Sequence, residues 1–278
     1  MTGFYWLASY PKSGSTWLAL ALGSLYRGGG PVEFTGEAIG FPQAASRDAF
    51  DSTLGLESSN LTAEEDELLR PRVYEMLAKQ AADPLIRRVH SAFVNNKAGE
   101  PLFPPRFTLG VVYLVRDPRD IAVSYAHYID NTIDAALRVM RDPDAAIAAK
   151  PGNISPLLSQ RLLTWSDHIR SWRSANLPLL LIRYEDMLKQ PEHTLGSVAS
   201  FLNWNVEPAV VAAAVEATRF HRLRSEEEEH GYEFGASRPF FRSGRSGSWR
   251  EALSEDQVRQ IELDHRPMML ELGYDPTT

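Results

Sequence analysis

Lysine, serine, glycine, serine and threonine follow one another at residues 12–16, within the stretch "SYPKSGSTW". An apolar run (Phe4 to Ala8) precedes them and an unbroken apolar helix pattern follows. Residues of these types in that setting can bind an anion. Backbone N–H groups at a helix N-terminus point toward such a ligand, and the helix dipole favours its negative charge. Ser13, Gly14, Ser15 and Thr16 offer amides and three hydroxyls, and Lys12 adds a full positive charge. A Walker A loop opens with glycine and closes with Gly-Lys-Ser/Thr. Here the lysine leads, directly after Pro11, and Gly14 follows it, so the Gly-Lys order of that loop is missing.

Two further stretches carry cations into loops. "VVYLVRDPRDIAVSYAHY" runs a strand into a loop that opens a helix, with Pro118 suited to the first turn. Arg116 stands at the strand's C-terminal edge, where open α/β sheets bind ligands. Ser124 lies within the following helix and can share a ligand with Arg116. Taken alone, an Arg-Asp-Pro turn is structural, with Asp117 and Asp120 pairing the arginines. "RPFFRSGRSGSWR" interleaves arginines with glycine and serine, a flexible cationic loop able to close over a phosphate.

In this order the three stretches resemble the sulfotransferases that use 3′-phosphoadenosine 5′-phosphosulfate (PAPS). "YPKSGSTW" is similar to that family's 5′-phosphosulfate loop, "RDPRDIAVSYAHY" to its 3′-phosphate strand and helix, and "FRSGRSGSW" to its closing Arg-Lys-Gly-x-x-Gly-Asp-Trp loop. The likeness runs from Phe4 to about Trp249. It implies that Lys12, Ser13, Gly14, Ser15 and Thr16 hold the 5′ end of the donor. Lys12 would also stabilise charge on the oxygen that bridges phosphate and sulfate. Arg116, Ser124, Arg242 and the Gly244 amide would grip the 3′-phosphate. Trp17 and Phe220 would face the adenine, with Thr218 and Tyr184 as polar contacts. The product would be adenosine 3′,5′-bisphosphate. A sulfuryl group carries less charge than a terminal phosphoryl group, so no metal is expected.

The acceptor loses a proton as it attacks. In the resembled family a histidine in a Lys-Thr-His segment at a strand end is the base, and "RRVHSAF" puts His90 at such an end. A neutral imidazole near physiological pH suits this task. Arg88 replaces the usual lysine, and His127 is the second candidate base. His168, in an amphipathic helix, reads as structural. Other departures are Ser243 for the familiar lysine and Ser248 for the aspartate before Trp249, with Arg245 available to substitute. "REALSEDQVR" lacks the family's dimerisation motif.

Positioning these residues requires strands that end beside them. Apolar runs at Phe4–Ser9, Leu85–His90, Leu109–Arg116 and Leu179–Tyr184 predict buried strands. Helices are expected at Ser15–Tyr26, Pro118–Ile129, Leu157–Ala175, Glu192–Leu202, Glu207–Ala217 and Ser254–Leu272. Another capped helix starts at "LTAEEDELL". The alternation predicts an α/β protein, a three-layer P-loop-type fold with a central parallel sheet flanked by helices, in one domain over 1–278. Gly28–Asn60 and Ser225–Gly247 break the alternation and read as lids or substrate loops. The run "EEEE" reads as a solvated helix face.

The chain has 278 residues, 44% hydrophobic and 23% charged, with net charge −7 and no cysteine. That excludes disulfides, thiolate metal sites and cysteine nucleophiles, and argues against general nucleic-acid binding. No segment reaches the ~18 apolar residues of a membrane span, so a soluble, cytoplasmic protein is expected. The acceptor is expected to be a small molecule, an apolar or aromatic alcohol or an amine, shaped by Gly28–Asn60, Asn95–Pro105 and parts of Asn131–Pro156. Two other readings stay open. One is a magnesium-dependent P-loop kinase using the acids of "LLLIRYED"; the other is a non-catalytic nucleotide-binding module.

Overall fold

The computed structural model describes residues 2–32, 41–149, 155–230 and 239–277. All four apolar runs form strands: β1 Phe4–Ser9, β2 Leu85–Val89, β3 Thr108–Val115 and β6 Leu179–Arg183. Two short strands, β4 Ala146–Ile147 and β5 Gln160–Arg161, pair antiparallel between β3 and β6 in the chain. The main sheet runs β2-β1-β3-β6, and β1 pairs parallel with β2, Phe4 opposite Leu85 and Ala8 opposite Val89. The fold is α/β, a central parallel sheet flanked by helices. β1 is buried along its whole length, which is why it reads as an unbroken apolar run rather than an alternating one.

The helices are α1 Ser15–Tyr26, α2 Arg47–Leu54, α3 Ala63–Gln80, α4 Pro118–Tyr128, α5 Ile133–Arg141, α6 Trp165–Arg173, α7 Tyr184–Lys189, α8 Pro191–Phe201, α9 Pro208–Ala217, α10 Phe220–His230, α11 Trp249–Ala252 and α12 Glu255–Glu271. Capping boxes open two of these helices, Thr62 with Glu65 on α3 and Ser254 with Gln257 on α12. The expected helix Leu157–Ala175 is shorter. Residues 157–161 pair with other segments instead, and the helix starts at Trp165 because the Thr164 hydroxyl caps it, accepting from Asp167 N at 3.0 Å. Leucines at 157, 158, 162 and 163 imitate a helical period without forming one. The segment expected to be irregular from Ser225 continues α10 as far as His230.

Contacts divide the chain into two compact units. The first comprises residues 1–10, 42–113 and 143–181. Its core is aromatic: Phe4 and Trp6 stack at 4.4 Å, Tyr74 and Phe103 meet Trp6 edge-on, and Trp172 packs on Phe103. The second comprises 11–41, 114–142 and 182–278. There Leu20, Val32, Leu223 and Phe241 form a cluster joined by Trp17, Phe220 and Phe240, and Val123 packs with Trp249 and Val258. His90 belongs to the first unit. Every residue expected to touch the cofactor belongs to the second.

Candidate active site

The loop after β1 has an unusual backbone. Lys12 has φ of 70° and Gly14 has φ of 103°. A non-glycine residue in the left-handed region costs about 1–2 kcal/mol, so the strain at Lys12 marks a site where the backbone is over-determined. Gly14 is required for a second reason: a Cβ there would lie 2.6 Å from the Tyr184 ring. Gly14 is also the N-cap of α1, and no side chain caps that helix. Its first-turn N–H groups are thus left for another acceptor. Ser13, Ser15 and Thr16 are buried around the turn.

Three cations gather here. Lys12 Nζ lies 4.3 Å from the Tyr128 ring centroid and 4.1 Å from that of Phe240. Burial first, then the neighbouring Arg116 charge, push its pKa down to about 7, while Glu227 acts in the opposite direction. Arg116 donates to the Lys12 carbonyl at 3.3 Å and to the Arg245 carbonyl at 3.1 Å, and its guanidinium stacks 4.2 Å from the Tyr184 ring. Its Nε is buried with no hydrogen-bond partner among the described residues. Burial and Arg116 lower the pKa of Arg242, which donates to Ser248 Oγ at 3.2 Å. Among the described residues, none of these three cations has a carboxylate within ion-pair distance.

The closing loop is held by Asp120, not left flexible. Asp120 is fully buried on α4 and accepts from Gly247 N at 2.6 Å, Ser248 Oγ at 3.0 Å and Trp249 N at 3.0 Å. The expectation that both aspartates pair with arginines holds only for Asp117, which caps α4 and binds Arg119 at 2.8 Å. Ser248 therefore links Arg242 to Asp120. Arg245 pairs with Glu251 at 2.6 Å. Gly244 packs so closely on Phe220 that a Cβ would come within 2.2 Å of the ring. Arg238, part of the expected cationic loop, lies outside the described residues, as do 33–40 and 150–154 of the expected acceptor segments.

Glu227 escaped the sequence reading. It sits in the "EEEE" run yet is only 8% exposed, and its carboxylate accepts from Phe240 N and, at 3.0 Å, from Phe241 N. The run is thus not uniformly solvated. Four consecutive glutamates carry no signal for which one turns inward.

The expected adenine contacts also lie in the second unit. Trp17 donates from its indole to the Thr218 carbonyl at 2.9 Å and meets Tyr184 edge-on at 5.7 Å. The Thr218 hydroxyl bonds within its own helix, to Ala214 O at 2.8 Å. Trp17 and Phe220 pack on the same apolar cluster. A small cleft opens beside Trp17 and Thr218, with Met187, Pro191, Leu195 and Val215 in its wall. Ser124 is half-buried on α4, and no hydrogen bond occupies its hydroxyl among the described residues. Glu185, one of the two acids of the kinase reading, is committed elsewhere: its oxygens accept from Asp117 N at 3.1 Å and Tyr274 OH at 2.8 Å.

In the first unit, His90 follows β2 directly. Its Nδ1 lies 3.0 Å from the Ser9 carbonyl. A carbonyl can only accept, so Nδ1 carries the proton and Nε2 carries the lone pair. The His90 carbonyl accepts from His168 Nε2 at 2.9 Å, and His168 Nδ1 accepts from Tyr113 OH at 2.7 Å. His168 is fully buried, and desolvation pushes its pKa down to about 3. It is a neutral structural group, as the sequence suggests. The second candidate base, His127, bonds through Nε2 to the Pro239 carbonyl at 3.2 Å.

The sulfotransferase domain family matches residues 4–273. Sulfotransferase 1B1 of Mus musculus is 23% identical over 280 residues, 95% of this chain and 81% of its own. Flavonol 3-sulfotransferase of Flaveria bidentis is 23% identical, covering 92% of this chain and 78% of its own. Among solved structures, a mouse sulfotransferase complexed with PAP superposes with a TM-score of 0.61 at 22% identity, over 98% of this chain and 86% of that one. Retinol dehydratase, solved with androsterone and inactive cofactor PAP, also gives 0.61, at 19% identity over 96% of this chain and 80% of that one. No helix among the described residues is long and apolar enough to cross a membrane.

Proposed function

Because the chain belongs to the sulfotransferase domain family, we propose that it moves the sulfuryl group of PAPS to a hydroxyl of a small-molecule acceptor, with His90 as base. One observation carries the choice of donor: Lys12, Arg116 and Arg242 are desolvated together without a paired carboxylate among the described residues. Burying like charges is unfavourable unless an anion joins them. Adenosine 3′,5′-bisphosphate and its sulfated form bring anionic groups at both ends of the ribose. Two neighbours of the same fold were solved with PAP, which supports the same ligand here. The orphaned Arg116 Nε and the side-chain-free approaches at Gly14 and Gly244 fit it.

The roles divide accordingly. Ser13, Ser15, Thr16 and the first-turn amides receive the 5′ end, and Arg116, Ser124, Arg242 and the Gly244 amide receive the 3′-phosphate. Trp17 and Phe220 supply apolar faces for the purine, and Tyr184 and Thr218 line its edge. The acceptor oxygen attacks sulfur while its proton passes to His90 Nε2. The bond from sulfur to the bridging oxygen breaks, and Lys12 stabilises the charge left on that oxygen. No metal is assigned to the step. The single family match over 4–273 supports reading both compact units as one domain.

Melting measurements with added ligands test the donor. Without metal, adenosine 3′,5′-bisphosphate at about 100 times its Kd stabilises the fold by roughly 2.7 kcal/mol, a Tm rise of about 5–10 °C. ATP with magnesium gives much less at equal concentration, and Arg116→Ala removes most of the difference. An equal or larger shift with magnesium ATP would contradict the proposal and favour a kinase.

A further inference from the structure

Glu227 is a buried carboxylate to which the transfer assigns no part. On α10 it lies four residues after Leu223 and shares that inward face, Leu223 being 1% and Glu227 8% exposed, whereas Glu228 and Glu229 are exposed. Its two oxygens accept from Phe240 N and, at 3.0 Å, from Phe241 N. Burying a carboxylate is costly unless hydrogen bonds meet its charge, and charge-assisted bonds of this kind are the strong ones. Among the described residues no cation forms an ion pair with Glu227. Arg224, three residues earlier on the same helix, pairs with Glu228 instead, at 2.9 Å.

Residues 239–242 are thus gripped from two helices. From α10, Glu227 takes the Phe240 and Phe241 N–H groups, and Arg224 donates to the Arg242 carbonyl at 3.3 Å. From α4, His127 Nε2 donates to the Pro239 carbonyl at 3.2 Å. With its backbone fixed in this way, Phe240 sets its ring 4.1 Å from Lys12 Nζ, and the Tyr128 ring of α4 lies 4.3 Å from the same ammonium. A lysine side chain carries much rotamer freedom, and aromatic faces this close to its charge restrain it. Two charged groups act on the ammonium: Arg116, after β3, disfavours its charge and Glu227 favours it. All of these residues belong to the second unit. A buried carboxylate and a buried ammonium, neither in an ion pair among the described residues, are joined through one aromatic residue.

We propose that Glu227 is a positioning residue for the transfer: through the backbone of residues 240 and 241 it seats the Phe240 ring against Lys12, and its negative charge holds the ammonium ready for the bridging oxygen. The role rests on sulfuryl transfer being the reaction. A preset ammonium needs no reorganisation when charge builds on the leaving oxygen. The gain therefore belongs to kcat rather than to binding of the donor.

The first test uses the ligand-free protein. Acetic anhydride reacts with the neutral amine, so mass spectrometry of Lys12 acetylation against pH gives the midpoint of its titration. The wild-type midpoint lies near 7. Glu227→Gln keeps an oxygen for the backbone N–H groups and loses the charge, so the midpoint moves lower. Glu227→Asp keeps the charge and moves it less. The second test is turnover with PAPS. Glu227→Ala lowers kcat about tenfold, the order of one desolvated cation–π contact, while the Kd of adenosine 3′,5′-bisphosphate at pH 6.5 stays within a few-fold. Phe240→Leu costs as much, and the double variant costs no more than either, because both act on one contact. Where Glu227→Ala does not fold, Glu227→Gln takes its place in that cycle. An unchanged midpoint in folded Glu227→Gln, or losses that multiply in the double variant, overturns the proposal and leaves Glu227 a fastener of the loop. Absence of transfer by the wild type sinks the reaction itself, and the acetylation midpoint still decides whether Glu227 acts on Lys12.

Discussion

At the scale of single residues, Lys12 is the most unusual group in the protein. Its ammonium lies between the Tyr128 and Phe240 rings, and its pKa is pushed down to about 7 from an ordinary 10.5. Between pH 7 and 10.5 the unfolded chain holds a proton that the folded one has lost, so ligand-free stability rises with pH across that window. An arriving anion favours the charged form and draws the proton back. Adenosine 3′,5′-bisphosphate binding at pH 8 therefore takes up close to one proton, and affinity falls as pH climbs above about 7. Calorimetry in buffers of different ionisation enthalpy reads the proton directly. Lys12→Met removes the uptake, and uptake unchanged in that variant would assign the proton to another group. The lysine at the head of the loop was legible in the sequence. Its depressed pKa was not, because burial and the approach of Arg116 arise only on folding.

At the scale of elements, the strand–loop–helix units around β1 and β3 are the parts most legible in the sequence. Each apolar run ended where a cation was needed, and Pro118 sits in the first turn of α4. The closing loop was harder. Its glycines suggested flexibility, whereas Asp120 ties residues 247–249 to α4 through three hydrogen bonds. A partner more than a hundred residues away leaves no local pattern. Glu227 gave no signal because nothing in a run of four glutamates marks the one that turns inward. Asp120→Ala removes a buried acceptor from three donors and leaves some of them unsatisfied, which costs about 1–3 kcal/mol per unmet group. We expect a Tm lowered by several degrees. Adenosine 3′,5′-bisphosphate should bind at least about tenfold more weakly, since Arg242 and Gly244 lose their anchored loop. Melting curves and Kd titrations check both. An unchanged Kd in a folded Asp120→Ala variant means the loop needs no anchor to hold the 3′-phosphate.

At the scale of the whole molecule, the family match from residue 4 to 273 and the solved neighbours agree with the alternation of strands and helices read from the sequence. What stayed illegible was non-local. The false helical period at Leu157–Leu163 hid β5, and with it Gln160 and its bond to the His90 backbone. The buried chain from Tyr113 through His168 to the His90 carbonyl was equally invisible. The account as a whole stands on sulfuryl transfer, measured with [35S]-labelled PAPS, a panel of mono-ols, diols and amines, and a chelator in excess. The wild type labels at least one acceptor under these conditions, and His90→Ala lowers kcat by about 10²-fold or more while the affinity for adenosine 3′,5′-bisphosphate stays within a few-fold. No labelled product from any acceptor, or a folded His90→Ala variant that turns over at the wild-type rate, would contradict it.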